Sequence, residues 1–542
     1  MTPTEEKALT VYKASAGSGK TFTLSVEYIK LLIKNPMSFR STLAVTFTNK
    51  ATEEMKTRIL SQLYGIWKQL PKSKDYIEKI KSELGVTEQF MSDRAKIALF
   101  NIVHNYSYFR IETIDSFFQS VLRNLARELD LTANLRIELN DRQIESIAVD
   151  EMIDELGEKD ELLKWILGYI KENIDDDKNW NVIGYIKSFG ENIFREFYKT
   201  KSKELNTLLH EKGFFEQYTK RIRTIRDEAE AELKSVAAEF FEALETEGVD
   251  IADLSYGKSG PAGYFIKLQN GQYDESIITG RVQKALDEGS ADCWTKKSAP
   301  QSLRHFAEET IVPLLEKAES TRKSNWKMYA SAVLTLKHLN QLRLLNSIER
   351  KVREMNVEAN RFLLSDTHTL LHSLIKDTDS PFIFEKIGSH LENVMIDEFQ
   401  DTSTVQWQNF KVLLEECMSH SEEHGNLIVG DVKQSIYRWR SGDWRMLNNI
   451  KGEFPQVSDM LDIRTLTHNY RSSRRVINFN NAFFERAAEI EFDDLKECCG
   501  EDDMQLAEQL KSAYADVCQQ VPDKREDSGY VHIELLPQDD YT

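Results

Sequence analysis

The sequence predicts an α/β protein whose parallel sheet is interrupted by a large, mostly helical insertion. Three observations predict this. Near the N-terminus an apolar strand, a glycine-rich turn and an amphipathic helix follow one another within residues 9–33. Strand-length apolar runs then recur at Thr42–Phe47, Phe109–Ile114, Asn393–Ile396 and Leu427–Val429; such runs, buried on both faces and separated by helical stretches, are the pattern of parallel sheets. Between residues 136 and 365 the strand signal nearly vanishes, and the chain becomes long, charged and helical in period, as from Asp227 to Leu244.

In chain order, Leu9–Tyr12 reads as the first strand and Phe22–Ile33 as the first helix, with apolar residues at helical spacing. Thr42–Phe47 is a buried strand followed by an amphipathic helix over Ala51–Leu70, and Phe109–Ile114 is a third strand. Within the insertion, residues 257–289 hold six of the 23 glycines together with Pro261, which predicts a loop-rich connection between helical halves. The strands at 393–396 and 427–429 resume the same sheet, so the expected division is 1–135 and 366–460 for the sheet domain, 136–365 for the insertion, and 461–542 for the start of a second, incomplete domain. From Arg464 a further strand and helix begin, and the acidic run Glu491–Glu508 reads as a solvated linker.

A chain of 542 residues, 41% hydrophobic and 29% charged, can bury sizeable cores and is not a largely disordered protein. No apolar run approaches the ~18 residues of a bilayer-spanning helix, and the N-terminus lacks the layout of a secretory signal, so a cytoplasmic location and no membrane partner are expected. Cys293, Cys417, Cys498, Cys499 and Cys518 form no disulfide or metal-site spacing and are expected to be reduced thiols. The net charge of -19 argues against indiscriminate polyanion binding. Its distribution is uneven: residues 1–60 carry nine Lys/Arg against five Asp/Glu, and residues 433–475 nine against four. A local basic surface on an otherwise acidic body suits a protein that grips nucleic acid along one groove, although segments of this length reach such values by chance as well.

Ala14, Ser15, Ala16, Gly17, Ser18, Gly19, Lys20 and Thr21 lie between the first strand and the first helix, the context a phosphate-binding loop requires. Glycines let backbone N–H groups turn toward a β-phosphate, the helix N-terminus adds its positive end, Lys20 reaches the β/γ oxygens, and Thr21 offers a hydroxyl to Mg²⁺. Ala14 stands where the strict pattern has glycine. Asn393–Glu398 is an apolar strand ending in two carboxylates, the arrangement by which a nucleoside triphosphatase coordinates Mg²⁺ (Asp397) and activates water (Glu398). ATP and Mg²⁺ are the cofactors this pair of motifs predicts.

Asp397-Glu398-Phe399-Gln400-Asp401-Thr402 resembles the second motif of the UvrD/Rep group of superfamily 1 helicases, and the other motifs follow in that family's order. Thr46–Ala51 resembles TFTNKA, Thr113–Phe117 resembles TxxSF, Gly430–Arg440 is similar to the motif that joins nucleotide to DNA track, and Asn469–Ser472 to the motif that opens the second core domain. The Ala-Ser-Ala-Gly-Ser-Gly start and the Asp within Thr-Ile-Asp-Ser-Phe lean toward the RecB/AddA branch of helicase–nuclease subunits in double-strand-break processing. No glutamine motif precedes the loop, which leaves adenine selectivity without its usual residue.

The resemblance implies a RecA-like P-loop NTPase domain. It further implies that Gln434 senses the γ-phosphate, and that Arg471 approaches it from the second domain as an arginine finger does, making hydrolysis depend on domain closure. Tyr437 and Trp439, beside Arg438 and Arg440, form an aromatic platform for single-stranded DNA, and Phe47, Asn49 and Lys50 contact the same strand upstream. The implied activity is an ATP-driven 3′ to 5′ motor that unwinds a duplex junction, and a possible partner is an AddB-like or RecC-like protein. A non-motor ATP-binding scaffold and a small-molecule kinase are the competing classes; the first has no need of Lys20, Glu398, Gln434 and Arg471, and the second none of the aromatic–arginine motif. Because few residues follow Ser472, the chain is expected to lack the second motor lobe and any nuclease domain, and to hydrolyse ATP weakly by itself. Trp180, Trp326, Tyr329 and the basic stretch Lys220–Arg226 in the insertion are best read as core packing and a solvated helix face.

Overall fold

The computed structural model describes residues 7–125, 136–138, 140–157, 162–163, 166–167, 170, 182–210, 213–359, 361–363, 366–369, 371–372, 391–420, 425–498, 504–523 and 525–535. They form two compact units, one of residues 1–141, 194–200 and 356–542, the other of residues 142–193 and 201–355.

The first unit is built on six parallel strands: β1 (Leu9–Lys13), β2 (Thr42–Thr46), β3 (Ile111–Thr113), β6 (Asn393–Ile396), β7 (Asn426–Gly430) and β8 (Leu461–Thr465), in the order β3-β2-β6-β7-β1-β8. β4 (Arg136–Glu138) and β5 (Arg361–Leu363) form a separate parallel pair. The side-chain period of two sorts the central strands between two cores. Leu9, Val11, Leu43, Val45, Val394, Ile396 and Ile428 face Phe117, Phe118, Trp407 and Phe410. Tyr12, Ala44, Met395, Leu427 and Val429 face the opposite core, which holds Leu24, Ile29, Ile59 and Ile102 from α1 (Lys20–Lys34), α2 (Asn49–Trp67) and α4 (Glu88–His104). α3 (Lys74–Leu84) completes that layer with Ile77 and Ile80. Both faces are covered, which is why these strands read as continuous apolar runs.

In the first unit two expectations differ from the structure. Leu461–Thr465, three residues earlier than expected, pairs along its whole length with β1, Leu9 opposite Leu461 and Lys13 opposite Thr465, and so extends the first sheet. The acidic run after Glu491 continues a helix, Arg474–Cys498, and a second helix spans Met504–Ala513; the Lys511 ammonium lies 4.8 Å from the Phe492 ring centre. The many carboxylates of this run hide a helical apolar stripe that reaches Phe492 and Ala507.

The second unit contains helices over Phe214–Thr246 and Val312–Glu358. Leu233, Val236, Phe240 and Leu244 place one stripe of the former against Tyr264, Phe265, Trp294, Ile311 and Leu315, and the Phe240 and Phe265 rings stack at 4.0 Å and 5°. Residues 257–289 are not a loose connection: the short helices Ala262–Gln269 and Gly280–Glu288 send Phe265, Leu268 and Val282 into this core, with glycines at their junctions. Trp326 and Tyr329 pack against it, and Lys220, Arg221 and Arg223 are exposed, as expected. Trp180 lies outside the described residues. No helix among the described residues is long and apolar enough to cross a membrane, and Cys293, Cys417 and Cys518 are free thiols.

Candidate nucleotide and nucleic-acid site

All six sheet motifs sit at the C-terminal ends of parallel strands: the loop after β1, Thr46–Ala51 at β2, Thr113–Phe117 at β3, Asp397–Thr402 after β6, Gly430–Arg440 after β7 and Asn469–Ser472 after β8. This edge is where open α/β sheets bind ligands. The loop leaves β1 by extending its ladder, with the Ala14 N–H donating to the Gly430 carbonyl at 2.9 Å. Gly17 and Gly19 both take left-handed backbone angles, φ +74° and +88°. Gly17 is needed for a second reason, since a β-carbon there would lie 2.7 Å from Asn469 Oδ1 and 2.8 Å from Arg471 Cβ. α1 begins at Lys20 without a side-chain cap and without an acidic residue in its first turn. Its positive end is therefore left for an anion.

Lys20 Nζ donates to Glu398 Oε2 at 2.9 Å and to Gln434 Oε1 at 3.1 Å, joining the ends of β1, β6 and β7 at one ammonium. Glu398 itself has φ +51°, a left-handed conformation that a non-glycine residue adopts only where its surroundings hold it. Gln400 supplies part of that hold. Its buried amide donates to Glu398 Oε2 at 2.7 Å and accepts the Asp431 N–H at 2.8 Å, tying the carboxylate after β6 to the turn that carries Gln434. A polar residue in a turn gives no sequence signal for this bridge beyond its place in the motif.

Asp397 is buried and accepts the Glu398 N–H at 3.0 Å. Burial pushes its carboxyl up to about 6, the Glu398 charge adds to the rise, and Lys20 offsets part of it. A carboxylate held this way gains from a nearby cation, and the Thr21 hydroxyl, half-buried at the start of α1, is the matching hard oxygen donor. The two residues fit Mg²⁺. Asp401 is likewise raised to about 6 by burial and by Glu398, and the fully buried Asp431 is raised by burial against the pull of Lys433 and Lys20. Asp401 Oδ1 and Asp431 Oδ2 have no hydrogen-bond partner among the described residues.

The resemblance assigns Arg471 to a second domain. Here it follows β8 in the same compact unit, its backbone N–H held by Asn469 Oδ1 at 2.9 Å and its Cβ beside Gly17. The neighbouring segment is fastened to the loop by the Tyr470 N–H on the Gly17 carbonyl at 2.9 Å and by Asn469 Nδ2 on the Ala16 carbonyl at 3.2 Å. Gln519, which no motif covers, donates to the same Ala16 carbonyl at 2.9 Å and accepts from Asn469 at 2.8 Å. The Tyr470 ring is exposed, and its Cδ2 lies 3.8 Å from where a β-carbon on Gly19 would stand. It is an open face beside the loop on which a base can stack.

Phe47, Tyr437 and Trp439 form a continuous row, with ring centres 4.7 Å apart for the first pair and 6.0 Å for the second. The Arg440 guanidinium lies 4.7 Å from the Trp439 ring centre and 5.7 Å from that of Phe47. Trp439 is 63% exposed in a short 3-10 turn, so it is not a core residue on a strand edge. Asn49 and Lys50 open α2 in exposed positions, after Thr48 caps the helix through the Ala51 N–H. Asp115 accepts a hydrogen bond from Gln406 at 3.3 Å and is hydrogen-bonded to His368 Nε2 at 2.8 Å. Burial favours its neutral form, but His368, Arg440 and Gln406 together hold the carboxyl below its ordinary range.

Comparison with known proteins agrees with this geometry. The chain is 26% identical over 530 residues to an ATP-dependent helicase/nuclease subunit of Lactococcus lactis subsp. cremoris (strain SK11), covering 90% of this chain and 40% of that protein. It is 25% identical over 527 residues to the protein of the same name from Listeria monocytogenes serotype 4b (strain F2365), covering 89% and 38%. The exonuclease/helicase subunit RexA of Lactococcus lactis subsp. cremoris (strain MG1363) is 27% identical over 530 residues, covering 90% and 40%. The chain thus spans about 40% of the length of these relatives. Residues 2–455 match the model of the UvrD/REP helicase N-terminal domain, and with a RecA-like sheet bearing that family's motifs in order, the chain belongs to the UvrD/REP helicase family.

Proposed function

We propose that this chain is the ATP-binding motor lobe of a DNA helicase that moves 3′ to 5′ on single-stranded DNA, opens a duplex junction ahead of it, and serves double-strand-break repair in the cytoplasm, with an AddB-like or RecC-like partner protein. The observation that carries the reading is the contact of Lys20 with both Glu398 and Gln434, on the same turn that continues into Tyr437 and Trp439. Nucleotide chemistry and strand contact thereby share one backbone segment.

In this reading the loop N–H groups, the α1 N-terminus and Lys20 hold the triphosphate. Thr21 and Asp397 would hold Mg²⁺, which would supply positive charge to offset that of the triphosphate. Binding of the γ-phosphate draws Lys20 from Glu398, whose freed carboxylate accepts the proton of the attacking water. Gln434 reports the γ-phosphate to the strand-binding turn, and Arg471 stabilises charge on the transferred group. Tyr470 supplies a stacking face for the base, in place of the upstream glutamine motif.

The test is ATP hydrolysis with and without single-stranded DNA, together with strand displacement on a 3′-tailed duplex. ATPase activity stimulated by the strand is expected. Hydrolysis that DNA leaves unchanged points to a scaffold or a small-molecule enzyme. Lys20→Ala is expected to abolish most ATP binding, since the phosphates lose their mobile cation; wild-type affinity in that variant overturns the nucleotide site.

A further inference from the structure

Beside the turn that carries the aromatic row, the sheet unit has a cavity of about 430 Å³ lined by Phe197, Thr404, Gln408, Arg438, Gly442 and Asp443 among others. Phe197 lies in the first turn of the helix Glu196–His210 and is 80% exposed. Its placement is fixed from below, because Glu196 Oε1 accepts the Val405 N–H at 2.9 Å and the Thr200 hydroxyl donates to the Phe197 carbonyl at 3.0 Å. The opposite wall is equally fixed. Gly442 bridges to Ser403, and its N–H donates to the Tyr437 carbonyl at 3.2 Å, while a β-carbon there would meet the Asp401 backbone at 3.1 Å.

The charges of this pocket are paired, with one exception. Asp443 is held by Arg445 through two bonds of 2.8 and 2.7 Å, and Glu196 is engaged with the N-terminus of the helix Thr404–His420. Arg438 adds a weaker pull on Asp443 from a distance but makes no side-chain hydrogen bond or ion pair with a described residue. It stands in sequence between the two rings of the platform, so the turn that carries the rings also lines the pocket.

We propose that this pocket is an additional subsite for single-stranded DNA, in which Phe197 stacks on a base beyond those on Tyr437 and Trp439 and Arg438 pairs with the intervening phosphate. The proposal rests on the strand-binding reading of that platform. An isolated aromatic face, a single guanidinium outside any ion pair, and a rim of Thr200, Thr404, Gln408 and Ser441 whose two carboxylates, Glu196 and Asp443, are already engaged match one nucleotide: a flat base, a monoanionic phosphate and edges tolerant of any sequence. A bound peptide helix or strand calls instead for several apolar anchors in a row, and Phe197 is the one large exposed apolar side chain lining this pocket.

The experiment measures binding of a fluorescent oligothymidylate of about 16 nucleotides to the 542-residue chain, with the variants Phe197→Ala, Phe197→Trp, Arg438→Gln and Trp439→Ala. Phe197→Ala is expected to weaken binding about fivefold to tenfold, Phe197→Trp to restore it, and Arg438→Gln to reduce the log–log salt slope by about 0.7. A 5-iododeoxyuridine oligonucleotide is expected to photocrosslink to the peptide containing Phe197. If Trp439→Ala weakens binding while Phe197→Ala and Arg438→Gln match wild type, the subsite is overturned, the platform stands, and a polypeptide becomes the better occupant. If none of the variants changes affinity, the platform reading fails and the subsite with it.

Discussion

The sheet unit and the helical unit each hold a short ion pair, and the surroundings of the two pairs differ. In the helical unit Glu319 and Arg322 are buried one turn apart and joined by two bonds of 2.8 Å; Tyr264 donates to Glu319 at 2.9 Å, and Arg322 donates to the Tyr273 carbonyl at 3.1 Å. The carboxylate stays below its ordinary range because those bonds outweigh its burial. In the sheet unit Lys20 and Glu398 meet at 2.9 Å across two strand ends, with the carboxylate side chain 34% exposed and open on one side. The first pair is saturated and serves packing. The second is unsaturated, and a phosphate can take the place of the Glu398 carboxylate at Lys20. Ion-pair distance says little about role; the count of remaining lone pairs and protons says more.

That contrast yields expectations of graded size. Glu398→Gln should lower ATP turnover by about 10² to 10⁴-fold with little change in thermal stability, because the amide keeps the shape and loses the proton acceptor; unchanged turnover in a steady-state assay would move the base elsewhere. Arg322→Met should cost the helical unit about 3–5 kcal/mol by stranding a buried carboxylate, read as a lowered urea midpoint, and should leave the KM for ATP alone. Gln400→Ala belongs between the two classes, since it removes a positioning bridge without touching phosphate. A fall of about 10²-fold in kcat with retained nucleotide binding is expected, and equal losses in both would make the bridge merely structural.

Smaller effects probe the edges of the comparison. Trp439→Ala should weaken single-strand binding by about 1–3 kcal/mol irrespective of base sequence, measured by fluorescence anisotropy; wild-type affinity would exclude stacking there. Glu145, in the helical unit, departs from the saturated pattern of Glu319. Burial, with Glu191 and Asp150 adding and Lys187 opposing, raises its carboxyl from 4.5 to about 7, and Oε1 has no hydrogen-bond partner among the described residues. A folded-state value above the unfolded one means that its stabilising contribution is complete below pH 4.5 and disappears as pH rises through 7. Glu145→Gln should therefore stabilise the unit at pH 8 by about 1–2 kcal/mol and flatten its melting temperature between pH 5 and 8, a span set by the same shift.

What could be read from the sequence follows the range of the physical signal. The central strands announced themselves because Leu43, Val394 and Ile428 are buried on one face while their neighbours are buried on the other, leaving unbroken apolar runs. The loop announced itself through Gly17, Gly19 and Lys20 in one strand-to-helix turn. Leu461–Thr465 was not legible as an edge strand of the same sheet, because Arg464 and Thr465 are exposed and its partner β1 lies at the other end of the chain. Gln400, Asn469 and Gln519 were invisible as a group, since each acts through atoms brought together only by the fold, Gln519 reaching the Ala16 carbonyl from the far end of the sequence. The tight residues 257–289 misled by composition: glycines that end short helices look the same as glycines in a loop.

The small parallel pair of β4 and β5 has a consequence for the order in which the chain is expected to fold. Arg136 lies opposite Arg361, so the chain leaves for the long helical excursion and returns from it at adjacent strands. β2 must find β6, whose residues lie some hundreds of positions later, and closing so long a disordered loop costs entropy before any contact repays it. A helical unit that folds by itself shortens that loop to the distance between two neighbouring strands, and its local contacts form fast. On this topology the central strand pairing is expected to be a late event. Glu398, just beyond β6, reaches its left-handed conformation only when the sheet closes, so a nascent or partly unfolded chain has no assembled nucleotide site.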